Sequence, residues 1–263
     1  MEQEEQPIIE SFESKLVKAR DSVSESILFE LSFDESIEIR CEVANSLNTP
    51  RFILEKMSTD VNEEVRSGIS TNPNTRPLTQ RKLAKDRHIY VRRSLAWFDN
   101  TQSSILEVLA RDSDVEVRRG VANHQNTGLK ILFNLSKDSK WQVRASLAKN
   151  INISIELLIQ LSNDVKKEVR IRVAENQKCN KALLINLATD QNKDVRIAVA
   201  ENEKCSIQTL DLLSKDKNSE VRFEVAINPT TDLRTLKYLI NDKDENVFDA
   251  VNHNNKINHR NSI

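Results

Sequence analysis

Apolar positions along this chain fall into two short clusters that alternate throughout. In residues 101–126, TQSSILEVLARDSDVEVRRGVANHQN, Ile105, Leu106 and Leu109 are spaced as one face of a short helix. Val117, Val121 and Ala122 then mark a second helix at i, i+4, i+5. Polar residues separate the two clusters. Thr101 is the expected N-cap of a first helix of about nine residues, and Asp112 or Ser113 the expected cap of the second. Thr49 followed by Pro50 gives the same N-terminal signal one unit earlier. The recurrent Asn72, Asn150, Asn176, Asn202, Asn228 and Asn254 suit a left-handed C-terminal cap, with Pro73 and Pro229 directly after it. No strand pattern interrupts the two-helix phrase.

The phrase repeats without insertion or deletion. Arg40, Arg66, Arg92, Arg118, Arg144, Arg170, Arg196 and Arg222 are each 26 residues apart, and a ninth step reaches Phe248. Six residues before each marker sits an aspartate: Asp34, Asp60, Asp86, Asp112, Asp138, Asp164, Asp190, Asp216 and Asp242. A fixed period of this length predicts a solenoid whose units bury their apolar faces only against neighbours. The expected fold is all-α: an alpha-solenoid, or superhelix, of nine two-helix repeats over residues 24–255 as one elongated domain. Residues 1–23 are expected to form an N-terminal capping helix, with Ile8, Ile9, Phe12, Leu16 and Ala19 on its covered side. A polar tail, 256–263, is expected to be disordered.

The paired columns of Arg and Asp invite two readings. Eight arginines could form a phosphate-binding ladder, but an Asp at the turn into the second helix can accept from the Arg of its own repeat or of the adjacent one. The structural reading makes Asp60, Arg66, Asp86, Arg92, Asp112, Arg118, Asp138, Arg144, Asp164 and Arg170 a charge-assisted ladder that sets stacking register.

The phrase VRxxVAxNxxT followed by LxxLSxD resembles the leucine-rich repeat variant family, and the D-x-x-x-x-V-R spacing resembles HEAT-like helical repeats. The resemblance covers nearly the whole chain. It implies a superhelical stack of paired helices, and in the variant family one helix of each pair can be of the 3-10 type. The repeat is slightly longer than is usual for the variant family and much shorter than a HEAT unit. The cysteine cluster of an iron–sulfur domain, which accompanies some variant-family proteins, is absent, so the resemblance implies no cofactor.

Composition then refines the picture. The chain of 263 residues has a formal net charge of -1 and three cysteines. Cys179 and Cys205 take the slot that Thr49, Thr75, Thr101, Thr127 and Thr231 hold elsewhere, and with Cys41 they are expected to be free thiols rather than metal ligands. No apolar run is long enough for a membrane span, and the acidic start MEQEEQ is unlike a signal peptide, which together predict a cytoplasmic protein. The near-zero total hides an asymmetry. Residues 1–75 hold sixteen acidic and seven basic residues, a net of −9, whereas 76–101 is +5 and 128–153 is +4.

The basic middle also carries unusual aromatics. Tyr90, Arg93 and Trp97 fall at i, i+3, i+7 off the Val91/Leu95/Ala96 stripe, with Arg119, Trp141 and Lys149 in the two following repeats. Arginine beside aromatics suits a protein hot spot. It also suits a nucleic-acid platform. His88 and His124 lack partners at ligand or catalytic spacing, and His253 and His259 read as solvated residues rather than metal ligands. There is no glycine-rich phosphate loop, GxSxG, HExxH or zinc-deaminase signature. Asp99 beside Trp97 has a catalytic reading only by analogy with HEAT-like DNA glycosylases. The sequence therefore predicts a non-enzymatic scaffold that offers the surface of repeats 3 to 5 to a protein partner, without metal or cofactor. A nucleic-acid-binding module is the alternative, and the charge asymmetry predicts salt-sensitive self-association.

Overall fold

The computed structural model describes residues 11–254, so Ile8, Ile9, His259 and the tail 256–263 lie outside the described residues. It divides after Thr127 into two compact units. The first contains α1 (Phe12–Asp21), α2 (Glu25–Leu31), α3 (Ile37–Asn45), α4 (Arg51–Met57), α5 (Glu63–Thr71), α6 (Pro77–Leu83), α7 (Ile89–Trp97), α8 (Ser103–Leu109) and α9 (Val115–Asn123). The second contains α10 (Leu129–Leu135), α11 (Trp141–Lys149), α12 (Ile155–Leu161), α13 (Lys167–Glu175), α14 (Lys181–Leu187), α15 (Lys193–Glu201), α16 (Ile207–Leu213), α17 (Ser219–Ile227), α18 (Leu233–Leu239) and α19 (Glu245–His253). Among the described residues these make nine helix pairs behind α1, and each unit is a stack of such pairs, the construction of an all-α solenoid. Both helices of every pair are α-helical, so among the described residues the 3-10 helix allowed by the family resemblance does not occur. None of these helices is long and apolar enough to cross a membrane.

The first helix of each pair, A, has seven residues rather than about nine, and the second, B, has nine. Successive B helices pack on one another along each unit, from α1 through α9 and from α11 through α19, while each A helix leans on its neighbouring B helices. The B stripe lies fully inside: Val117, Val121, Ala122 and their equivalents Val169, Val173 and Ala174 are all 0% exposed. Leucines of the A helices, among them Leu106, Leu132, Leu158 and Leu184, close the core from the other layer. Gly120 marks how close B helices come, because a Cβ there would meet the Ala96 backbone oxygen at 2.9 Å.

Three polar columns hold the turns, each differently from its sequence signal. The Thr slot does not cap helix A, since α8 begins after Gln102. Instead the Thr101 hydroxyl donates to the Leu95 carbonyl at 2.7 Å, and Thr49, Thr75, Thr127 and Thr231 do the same for Val43, Ile69, Val121 and Val225. Each thereby engages a carbonyl of the last turn of helix B, and those of Ile69, Leu95 and Val121 also accept the N–H of the C-cap residue. Pro50 correspondingly stands at the N-cap of α4 rather than in its first turn.

The Asn slot is extended, near φ -70 and ψ 120–130, and no described residue, glycine included, has positive φ. A left-handed cap is unnecessary because the Asn side chain reaches across to the preceding repeat. Asn72 Nδ2 donates to the Ala44 and Ser46 carbonyls at 2.8 and 2.9 Å, and its Oδ1 accepts from the Asn74 N–H at 2.9 Å. Asn176, Asn202, Asn228 and Asn254 reach Ala148, Ala174, Ala200 and Ala226 in the same way. His124 takes over this role in its repeat: Nε2 lies 2.8 Å from the Phe98 carbonyl and Nδ1 accepts from the Asn126 N–H at 3.0 Å.

The N-cap of helix B stands two residues beyond the recurrent Asp. Asp114, not Asp112 or Ser113, caps α9 by accepting from the Val117 N–H at 3.0 Å. The Asp column does something else. Arg66 Nε and Nη2 donate to the Asp86 carboxylate of the next repeat at 2.7 and 2.9 Å, and Nη1 donates to the Asp60 carbonyl of its own repeat at 2.7 Å. Asp86 Oδ1 also accepts from the His88 N–H at 2.8 Å. The same bidentate pairs join Arg40 to Asp60, Arg92 to Asp112, Arg144 to Asp164, Arg170 to Asp190, Arg196 to Asp216 and Arg222 to Asp242. Arg118 Nη1 donates to the Asp112 carbonyl at 2.7 Å, and Asp138 accepts from the Lys140 N–H at 2.9 Å. At the N-terminal end Lys15 of α1 supplies the cation for Asp34 at 2.7 Å, and Ser46 donates to the Arg20 carbonyl at 3.0 Å. Helix α1 thus takes the place of a preceding B helix.

Removing one partner of such a pair leaves the other charged, half-covered and short of hydrogen bonds. Asp190→Ala should therefore lower stability by about 3 kcal/mol in denaturant titration, whereas Thr189→Ala next to it should change little. Burial alone would push the Asp86, Asp164, Asp190 and Asp216 carboxyls up, but the Arg hydrogen bond, a backbone N–H and the Arg charge outweigh it and hold them below the ordinary range. For Asp242 the Arg222 hydrogen bond leads, with the same net direction. A depressed folded-state pKa means that stabilisation is complete above the unfolded value, about 4, and is lost as pH falls through the folded values. Melting temperature should be level from neutral pH to about 5 and fall steeply below about 4. A Tm unchanged down to about pH 2 would contradict this ladder's contribution.

Candidate interaction surface

Helix α7 presents the most concentrated group of expected contact residues. Its core side is Val91, Leu95 and Ala96, all fully buried, which turns Tyr90, Arg93 and Trp97 outward. Tyr90 is 60% and Trp97 47% exposed. Arg93 lies between them, its guanidinium carbon 5.8 Å from the Tyr90 ring centroid. Its Nε and Nη2 donate to the two oxygens of Asp114, the N-cap of α9, both at 2.9 Å. That hydrogen bond, opposed by partial burial, holds the Asp114 carboxyl below its ordinary range. His88 adds a ring 5.2 Å from Tyr90, and its Nε2 lies 3.6 Å from Glu63.

The remaining expected contacts are placed differently. Arg119 of α9 donates to both Glu116 oxygens at 2.8 and 2.9 Å. Trp141 and Lys149 belong to the second unit and stand at opposite ends of α11, the first half-buried and the second exposed. Charge and aromatics also separate. Of the third repeat's cations, Arg92 is in the ladder, Arg93 is held by Asp114, and Arg76 is 3.4 Å from Glu55. Exposed Arg81 and Lys82 lie on α6, and exposed Lys85 and Arg87 in the turn that follows, so these cations are not on the α7 face. The face is therefore aromatic with a clamped arginine, not a field of cations. Charge totals per repeat could not show this, because they do not say which layer a side chain leaves from.

A second surface escaped the sequence reading altogether. The position directly after the ladder Arg holds Cys41, Ser67, Arg93 and Arg119 in the first unit, but Ala145, Ile171, Ile197 and Phe223 in the second. Aligning the repeats by register would have exposed that switch.

The three cysteines are free. Burial, assisted by neighbouring Cys205, pushes the Cys179 thiol up to about 12, and burial pushes Cys205 up to about 11. No group of three or more His, Cys, Asp or Glu able to hold a metal ion occurs among the described residues.

No protein-family model matches the chain, and no curated protein is similar to it at a significant level. Among solved structures, the chain is similar to a leucine-rich repeat variant with a novel repetitive structural motif, at 24% identity and a TM-score of 0.66, over 84% of this chain and 87% of that one. The Escherichia coli protein YibA aligns at 17% identity over 95% and 100% of the two chains, with a TM-score of 0.40. An archaeal HEAT-like repeats protein from Thermococcus onnurineus NA1 aligns at 13% over 89% and 97%, with a TM-score of 0.24. The first likeness establishes the fold, a helical repeat array like that of the leucine-rich repeat variant.

Thiol chemistry gives a direct check on this packing. A thiol-reactive chromophore at neutral pH should label Cys41 first, and Cys179 and Cys205 only at the rate of local or global opening, because the thiolate is the reactive form. Equal labelling rates for all three would contradict their burial.

Proposed function

We propose that this chain is a non-enzymatic protein-binding scaffold, and that in its first unit the partner docks on the α7 face through Tyr90 and Trp97. One observation carries the reading: two large aromatics stand exposed on one helix with an arginine clamped between them. Exposed aromatics have little reason to be there for the core, which Val91, Leu95 and Ala96 already fill. Tyr, Trp and Arg are the residue types that dominate binding energy in interfaces. The Arg93–Asp114 pair also fixes the guanidinium in advance, so docking loses less side-chain entropy. The recurrent charges lend no support to phosphate binding, since the ladder arginines donate to aspartates and to turn carbonyls.

Partner capture on immobilised full-length chain, compared with Tyr90→Ala and Trp97→Ala, tests the reading. Each variant should weaken capture by about 2 kcal/mol, roughly 30-fold, at the same protein concentration. Their Tm should move by less than about 3 °C. A large Tm loss would instead assign the rings to packing. Tight, salt-steep binding of single-stranded DNA or RNA that Arg93→Glu abolishes would replace the protein partner with a nucleic acid.

A further inference from the structure

The B face of the second unit differs in chemistry from that of the first. Ile171, Ile197 and Phe223, at the same register position of α13, α15 and α17, form a half-buried apolar row, and Ile227 extends it with 48% exposure. Two hollows lie on this face. One, of about 440 Å³, includes Glu175, Ala198 and Glu201; the other, of about 550 Å³, includes Phe223, Ile227 and Ala250.

Carboxylates border the row in places that intrinsic stability does not favour. Glu175 and Glu201 are the last residues of α13 and α15, where the helix dipole opposes negative charge. Arg172 neutralises Glu175 at 2.7 Å. Among the described residues no side chain pairs with the carboxylates of Glu201 or Glu224, whereas acids at the other end of these helices are paired, Asp194 with Lys167 and Glu220 with Lys193, both at 2.7 Å. Burial and then the charge of Glu175 push Glu201 up, and burial and then the charge of Glu201 push Glu224 up. Glu201 and Glu224 thus stand beside the apolar row without an ion-pair partner among the described residues, the Lys204 that lines the hollow with Glu201 donating to the Gln177 carbonyl instead.

We infer that this face, across α13, α15 and α17, docks an extended segment of a partner protein that carries Lys or Arg between apolar side chains placed at every third residue. The spacing follows from helix packing. Neighbouring B axes are separated by about 8–10 Å. A polyproline-type segment rises ~3.1 Å per residue with three residues per turn, so it returns a side chain to one edge every ~9 Å, one per repeat. A β-strand returns one every ~6.6 Å and drifts out of register with the row. Cations between the apolar anchors would reach Glu201 and Glu224 and relieve both their mutual repulsion and their opposition to the helix dipole.

Fluorescence anisotropy with the full chain tests this. The probe is a labelled peptide with leucine at every third position and lysine or proline between. A second peptide has the same composition with leucine at alternate positions, and a third has glutamate for lysine. The first peptide should bind at least about ten-fold more tightly than either control. Glu201→Gln combined with Glu224→Gln, or Phe223→Ala alone, should weaken it by about ten-fold or more. The double Gln variant should keep or raise the Tm, whereas a structural role for these carboxylates requires a loss. Equal binding of the alternate-spaced peptide, undiminished binding by the Gln variant, or no binding of the first peptide would overturn the proposal. Trp97→Ala should leave this binding unchanged, which separates it from the first-unit reading.

Discussion

The bidentate pair between the Arg of one repeat and the Asp twenty residues later is the interaction on which the other features depend. A guanidinium has donors in a fixed planar fork, and here two of its nitrogens face the next repeat's carboxylate while the third faces turn carbonyls of its own repeat. The carboxylate in turn accepts the N–H of the residue that caps the next B helix. One Arg–Asp pair therefore ties the turn of one repeat, the turn of the next and the start of the next B helix together. Hydrophobic contact between B helices is not directional and would tolerate sliding by a turn. The planar pair does not, so it sets the register that the apolar stripe alone leaves loose.

Because that register is held by the same few atoms in each repeat, other positions are released from structural duty. The N-cap can be Asp114, Asn192 or Asn218, which accept helix N–H groups, or Lys140 and Lys166, which do not, and the B helix still begins at the same place. The Asn column can give way to His124, because an imidazole nitrogen can meet the same carbonyl at 2.8 Å. The position after the Arg is freer still: it runs Cys41, Ser67, Arg93 and Arg119 through the first unit and becomes apolar throughout the second, ending in Ile171, Ile197 and Phe223. A scaffold whose frame is this redundant can vary its exposed faces with little effect on the stack.

The candidate surfaces were legible to unequal degrees. Tyr90 and Trp97 could be placed on the outside of α7 from helical periodicity, because the core stripe beside them is unambiguous. The state of Arg93 could not, since its partner Asp114 lies on another helix and the pair exists only when α7 and α9 pack side by side. Charge counted by repeat likewise merged Arg81, Lys82, Lys85 and Arg87 with the α7 face although they leave from α6 and the turn. The Ile171, Ile197 and Phe223 row was hidden for a related reason: isolated apolar residues read as core within one helix, and only their shared register across helices makes them a surface.

The period, the number of helix pairs and the inward stripe follow from the sequence by itself, because an unbroken 26-residue spacing with apolar residues at helical intervals admits no other way to bury them. What each polar column does was decided only by tertiary structure. Thr looked like a cap and closes the end of the preceding B helix; Asn looked like a left-handed turn and bridges to the previous repeat; Asp could have paired within its repeat and pairs with the neighbour's Arg. A polar side chain has several acceptable partners within reach of its own backbone, and local sequence ranks them nearly equally. Stacking brings a second set of carbonyls and charges within 3 Å of the Asn and Asp columns, as it does for Asn72 and Asp86, and those partners win because they are buried and cannot be left unsatisfied.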